Sequence, residues 1–181
     1  EATDLGPLIS RAQQQKVADM VQRAVADGAT VACGGYIPDD LAEGSFYRPT
    51  LLIGATQDSE IVQEEVFGPV LVALPFDTED EALHLANDTR YGLAASAWTN
   101  DVRLAHRAGR EIQAGCVWIN DHIPIVSEMP HGGYKQSGIG KDMSMYSFEE
   151  YTQIKHVSVD ITGAAQKEWH RTVFADPLSA E

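Results

Sequence analysis

Apolar positions near the start of the chain fall at helical spacing. Val17, Met20, Val21, Ala24 and Val25 share one face, the stripe that a helix buries against a core. Ser10 followed by Gln13 forms a capping box ahead of that stripe. Gly28 stands where a glycine closes a helix. The short run Thr30-Val31-Ala32-Cys33 ends at Gly34-Gly35, so the order is helix, then strand. Residues 36 to 46 carry turn chemistry, and Tyr47 to Ile53 is rich in strand formers despite Pro49. Val70 to Leu74 is continuously apolar, the pattern of a strand covered on both faces.

The next helix has its own capping box, Thr78 with Glu81, and an apolar side of Ala82, Leu83, Leu85 and Ala86. It ends near Asn87-Asp88-Thr89. Tyr91-Gly92 is a turn and Leu93 to Trp98 a strand. A third helix opens at Asn100 or Asp101, carries Val102, Ala105, Ala108 and Ile112, and stops at Gly115. Cys116 to Asn120 is again a strand. The β-α-β-α-β order from Leu71 to Asn120 predicts an α/β fold, a mostly parallel sheet flanked by helices with right-handed crossovers.

After Asn120 the pattern changes. Four glycines fall within the nine residues from Gly132 to Gly140. Such density permits close backbone approach. Ser144 to Glu150 predicts a short helix. Tyr151 to Ile161 reads as a strand in which Val157, Val159 and Ile161 alternate with Ser158 and Asp160. That alternation suits an edge that pairs with something else. The last twenty residues show no period.

Composition narrows the function classes. The 181 residues carry 13 Lys and Arg against 27 Asp and Glu, a net charge of −14. A balance this acidic argues against nucleic acid and against anionic membranes as partners. The content of 44% hydrophobic and 22% charged residues is that of a globular protein. No stretch approaches the ~20 apolar residues of a membrane-spanning helix. The first residues lack the basic and apolar regions of a secretory signal, and the chain does not begin with Met, as expected of a trimmed chain or a piece of a longer one. Cys33 and Cys116 belong to no CxxC or His/Cys cluster. They read as small hydrophobes in a reducing cytoplasm.

Three features remain for chemistry. Glu64-Glu65-Val66-Phe67-Gly68-Pro69 sets two carboxylates beside an aromatic and a turn. It is either a ribose-binding acidic loop or a solvated one. The 130 to 140 stretch contains Gly138-x-Gly140 but no full phosphate-binding glycine motif. It is a tight structural loop or a phosphate cradle. His131 is a pocket wall, a turn residue or a base.

Five segments bring a resemblance. Gly6-Pro7-Leu8-Ile9-Ser10, residues 64 to 69, Asn87-Asp88-Thr89-Arg90-Tyr91-Gly92-Leu93-Ala94-Ala95, Trp118-Ile119-Asn120 and Gly132-Gly133-Tyr134-Lys135-Gln136-Ser137-Gly138 follow in this order. Together they resemble the C-terminal part of the catalytic domain of NAD(P)-dependent aldehyde dehydrogenases, over residues 3 to about 161. Val126-Ser127-Glu128-Met129-Pro130-His131-Gly132-Gly133, with Lys141-Asp142-Met143-Ser144 after it, is similar to the aminobutyraldehyde dehydrogenase branch, close to betaine aldehyde dehydrogenases.

The resemblance implies an oxidoreductase that turns an aldehyde, such as the amino aldehyde 4-aminobutanal, into the carboxylic acid with NAD or NADP. A cysteine thiolate attacks the aldehyde, hydride passes to the nicotinamide, and a glutamate activates water. It implies that Glu65 holds the nicotinamide ribose and Phe67 packs at the nicotinamide end. Asn120, Glu128 and His131 fall along the substrate wall, Glu128 with an ammonium head group to attract. Backbone carbonyls of Lys135 and Gly138 would hold a monovalent cation, K+, and Asp142 would relay protons. The family's nucleophile lies in a Gly-Gln-x-Cys segment, and no such segment occurs in this chain. The expectation is therefore a chain that is inactive alone. Residues 1 to 150 form part of the catalytic α/β domain, 151 to 161 an oligomerisation strand for same-family subunits, and 162 to 181 an irregular tail. A non-catalytic module of the same fold, acting in binding or subunit association, is the alternative. A different α/β nucleotide binder is disfavoured by the missing phosphate loop.

Overall fold

The first helix, α1 (Arg11–Ala26), forms where its apolar stripe predicts. The Ser10 hydroxyl accepts the Gln13 amide at 3.1 Å. At the other end the Ala29 amide reaches the Ala24 carbonyl at 2.9 Å and the Gly28 amide reaches Val25 at 3.1 Å. Gly28 has φ +107°, the left-handed residue that closes such an end. The computed structural model describes residues 5–164, 167 and 169, so most of the expected tail from 162 to 181 lies outside the described residues.

Strand β1 (Thr30–Cys33) pairs antiparallel with β2 (Thr50–Ile53), and β2 pairs parallel with β3 (Val70–Ala73). A one-turn helix, α2 (Glu60–Gln63), connects β2 to β3. Val17, Met20, Val21 and Ala24 of α1 pack with Tyr47, Leu52 and Ile61 to form the core, and Leu52 is fully buried. Strand β3 is covered on one face only. Val70 and Val72 pack toward the core, whereas Leu71 is 67% exposed. The continuous apolar run predicted cover on both faces, but α1 supplies only one layer.

Helix α3 (Glu79–Asn87) is capped by Thr78, whose hydroxyl accepts the Glu81 amide at 3.2 Å. Helix α4 (Val102–Glu111) is capped by Asp101, which accepts the Arg103 amide at 2.8 Å. Beside them lie β4 (Tyr91–Gly92), β5 (Ala94–Ala97), β6 (Cys116–Ile119), β7 (Tyr134–Lys135) and a short helix α5 (Ser144–Glu150). β5 pairs parallel with β6, and β4 pairs antiparallel with β7.

The predicted α/β class holds, with three corrections. The strands form three small sheets, one of them mixed, and β3 and β5 on either side of α3 are not hydrogen-bonded. A β-α-β pattern fixes strand direction but not adjacency, which tertiary spacing decides. Second, α4 ends at Glu111, before Gly115. Ile112 is already extended (φ −72°, ψ 125°). Gly115 serves a backbone crossing instead, since a Cβ there would lie 1.6 Å from the Gly132 carbonyl oxygen. Third, residues 151–161 form no strand and are exposed. They have the alternation of a strand but no ladder partner among the described residues, and alternation alone makes no hydrogen bonds. No helix among the described residues is long and apolar enough to cross a membrane.

Candidate functional site

The carbonyl end of α3 organises the site. A helix end leaves carbonyls without intrahelical donors, and three distant side chains supply them. Gln57 Nε2 donates to the Leu85 and Asp88 carbonyls at 3.1 and 2.7 Å. Gln63 Nε2 donates to Asp88 at 2.8 Å. Lys135 Nζ donates to Asn87 at 2.6 Å and Thr89 at 3.0 Å, where a cation also matches the helix dipole. The Asn87 side chain joins this end to α4, donating to the Glu111 carbonyl at 2.8 Å and accepting the Gln113 amide at 2.7 Å. The Glu111 carboxyl is held below the usual glutamate range by hydrogen bonds from Arg110 and then Arg107.

Residues 87 to 92 thus become a hub. Arg90 pairs with Glu64 at 2.5 Å, and its carbonyl accepts the Gln136 amide at 2.9 Å. The Gly92 amide donates to Ser137 Oγ at 2.9 Å. Gly92 has no room for a side chain, because a Cβ would lie 2.3 Å from the Gln113 carbonyl oxygen. Three of the five resembling segments therefore converge on one cleft of about 390 Å³, lined by Glu64, Glu65, Tyr91, Gly92, Gln136 and Ser137 among others. Glu65 is exposed at its edge, with a carboxylate able to accept from hydroxyl groups.

Phe67 lies outside that lining. Its φ is +55° and its side chain is 69% exposed, a left-handed conformation that costs an aromatic residue energy. Gln13 holds it there, donating from Nε2 to both the Val66 and Phe67 carbonyls at 3.0 Å. The capping-box residue is spent on this loop rather than on the Ser10 amide. Gly68 sits on α1 so closely that a Cβ would lie 2.6 Å from Val17 Cγ2. Helix α1 is the template on which the 64–69 loop is folded.

The predicted substrate wall is pinned by the ends of β5 and β6. Asn120, with φ +55°, accepts the Thr99 amide and donates to the Thr99 carbonyl, both at 2.8 Å. Its amide group is thereby engaged on both atoms and sets the course of the chain that follows. Ser96 Oγ lies 2.7 Å from His122 Nδ1. Trp118 Nε1 donates to the Pro124 carbonyl at 2.9 Å. Beyond this anchor Ile123, Ile125 and Val126 are exposed. Glu128 is exposed in a turn, with no ion-pair partner among the described residues.

His131 and Asp142, predicted separately for substrate contact and proton relay, are brought together. His131 Nδ1 lies 2.8 Å from Asp142 Oδ1. The two residues also exchange main-chain hydrogen bonds at 2.9 and 2.8 Å. Lys141 Nζ donates to the Gly132 carbonyl at 3.1 Å, and its amide donates to the Glu150 carboxylate at 3.1 Å. Lys135 and Gly138 both have positive φ, +53° and +133°, on either side of Gln136 and Ser137. Oxygen donors of the main chain suit an alkali cation. No group of three His, Cys, Asp or Glu able to hold a metal ion occurs among the described residues. Cys33 is exposed on β1 and Cys116 half-buried on β6, and neither lines the cleft. Sequence reasoning missed Gln13, Arg90 and the Lys135 ammonium. For Gln13 the capping box was a signal, but it pointed to the wrong acceptor.

Comparison with known proteins gives a consistent result. The aldehyde dehydrogenase family profile matches residues 1–157. Betaine aldehyde dehydrogenase of Bacillus subtilis is 45% identical over 157 residues, covering 86% of this chain and 32% of that protein. The 2-hydroxymuconic semialdehyde dehydrogenase of Pseudomonas putida is 45% identical over 161 residues, covering 87% and 33%. The crystal structure of betaine aldehyde dehydrogenase from Staphylococcus aureus in complex with NAD+ superposes with a TM-score of 0.84 at 41% identity, covering 92% of this chain and 35% of that one. The chain spans about a third of the length of the curated relatives it matches.

Proposed function

The chain belongs to the aldehyde dehydrogenase family, and from that premise we propose that it contributes the cofactor-facing and substrate-facing wall of an enzyme that oxidises an amino aldehyde such as 4-aminobutanal with NAD+. The observation that carries this reading is the convergence of Glu65, residues 87–92 and Gln136–Ser137 on one cleft. In it Glu65 accepts hydrogen bonds from ribose hydroxyls, and Phe67 presents an exposed ring to the nicotinamide end. The left-handed Phe67 backbone, held by Gln13, is the kind of constrained conformation that fold energy maintains at binding sites. NAD+, when bound, supplies the hydride acceptor. The NAD+ complexes of the S. aureus relative support NAD+ as a cofactor.

Glu128 and His131 form the polar part of the substrate wall, where a carboxylate and an imidazole suit an ammonium head group. Asn120 shapes that wall through Thr99. Asp142 relays protons. Backbone carbonyls of Lys135 and Gly138 hold K+. The thiolate nucleophile is supplied by residues outside this chain, a reading supported by the absence of Cys33 and Cys116 from the cleft lining, and the family resemblance places the general-base glutamate outside it too. The exposed alternation of 151–161 supports pairing with a same-family subunit by strand addition, and the acidic, cysteine-poor composition supports the cytoplasm as the compartment.

The test is spectrophotometric. The 181-residue chain, given NAD+ and 4-aminobutanal, yields no NADH, whereas an enzyme containing it does. Glu65→Gln in that enzyme raises KM for NAD+ about tenfold, the loss of a hydrogen bond to a charged acceptor. Turnover by the chain alone would place the nucleophile within it and overturn the division of labour. An unchanged KM would remove Glu65 from the cofactor site.

A further inference from the structure

His131 and Asp142 stand eleven residues apart, yet three hydrogen bonds join them. Two are main-chain bonds, so the residues cannot part without breaking a local β-bridge. The third runs between Nδ1 and a carboxylate oxygen at 2.8 Å. An ionised carboxylate only accepts, so the shared proton belongs to Nδ1. A neutral imidazole protonated at Nδ1 leaves Nε2 with its lone pair, because the bond made by one ring nitrogen fixes the state of the other. The ring is anchored further by its neighbours. The Gly132 carbonyl is held by Lys141 Nζ and abuts Gly115. The imidazole side chain keeps 26% of its surface exposed, with Nδ1 the ring nitrogen engaged by Asp142.

We propose that Asp142 positions His131 so that Nε2 is a fixed hydrogen-bond acceptor, which selects an aldehyde whose distal nitrogen carries N–H groups over one whose distal nitrogen is fully alkylated. The inference rests on the reading that residues 120–131 face substrate. Both kinds of head group are cations, and the exposed carboxylates of Glu128 and Asp142 attract both. Only a primary or secondary ammonium donates a hydrogen to Nε2. A trimethylammonium group offers no such donor, and leaves the imidazole acceptor unpaired when it displaces water there. Asp142 acts here as a positioning residue, and the selecting contact is made by His131.

Two measurements decide the matter. Long-range proton–nitrogen NMR of the 15N-labelled protein at about pH 8, above the ordinary histidine range, gives the ring tautomer. The expected spectrum has a protonated Nδ1 and an unprotonated Nε2 for His131. Titration with propylammonium shifts the Nε2 resonance, and tetramethylammonium does not. A proton on Nε2, or equal shifts with both cations, overturns the proposal. In the complete enzyme, His131→Phe lowers the ratio of kcat/KM for 4-aminobutanal to that for betaine aldehyde about tenfold, through KM. His131→Gln, which keeps an acceptor, restores part of the ratio. Asp142→Asn frees the tautomer and lowers the same ratio, whereas loss of a proton relay alone would lower kcat for both aldehydes alike and leave the ratio unchanged. An unchanged ratio in His131→Phe overturns the proposal. Failure to oxidise either aldehyde would defeat the parent reading, while the NMR titration still decides this one.

Discussion

The two halves of the molecule use the same local grammar and bury very different amounts of surface. Residues 11–73 contribute α1 and the β1–β2–β3 sheet, with Val17, Met20, Val21 and Leu52 almost wholly buried. Residues 79–142 contribute two well-capped helices and two short sheets. Among the described residues of that half, Ala108 and Ala114 are the only buried apolar side chains. Trp98 and Val102 are exposed by 70% and 66%. The difference teaches that caps and strand pairing are specified locally, whereas burial needs a facing layer. The first half has that layer in α1. The second spends its order on hydrogen bonds around residues 87–92.

The sharpest way to break this comparison is to truncate one leucine in each half. Leu52→Ala removes a fully buried side chain and costs about 2–5 kcal/mol. Leu104→Ala, at a half-buried site on α4, costs about 1 kcal/mol, in proportion to the apolar area it covers. Urea unfolding of both variants checks the contrast, and equal losses would mean that the second half is as tightly packed as the first. Next in size is Gly115→Ala. Its Cβ must displace the Gly132 carbonyl, at about 1–3 kcal/mol for overpacking, with altered NMR signals for His131.

Helix caps are expected to ignore the contrast. Ser10→Ala and Thr78→Ala each cost about 1 kcal/mol, because each removes one hydroxyl acceptor from one amide. Unequal values in the same denaturation assay would show that burial reaches the caps. The smallest effect is electrostatic. Hydrogen bonding to Arg23 holds the Glu60 carboxyl below its ordinary value. A depressed carboxyl stabilises the fold above its unfolded pKa, and that stabilisation disappears as pH falls through the folded value. Thermal melts at neutral pH and at about pH 4 should therefore show a slightly smaller acid loss in Arg23→Gln than in the parent protein. The pair joins α1 to α2, both exposed, so the effect stays small.

Much of the fold was legible because the signals are short-range. The caps at Ser10, Thr78 and Asp101 and the turn at Gly28 fell where the sequence put them, and so did the helix from Ser144 to Glu150. Each depends on groups within a few residues. The Gly115 stop failed for the opposite reason, since that glycine answers to a carbonyl seventeen residues away. The candidate site was legible as a set of residues and not as an arrangement. Glu65, Gln136 and Ser137 share a cleft because α3 ends where Gln57, Gln63 and Lys135 can reach its carbonyls. Nothing in a local pattern joins His131 to Asp142.

By itself the sequence determined the succession of helices and strands, their caps, the acidic balance and, through five ordered segments, membership of the aldehyde dehydrogenase family. Periodicity and capping act over a few residues, so a linear reading captures them. The tertiary structure decided which strands are neighbours, that β3 is covered on one side, that residues 151–161 lack a ladder partner among the described residues, and that Gln13 holds Phe67 in a left-handed turn. Those outcomes depend on contacts across tens of residues, where distance in space rather than distance along the chain sets which groups meet.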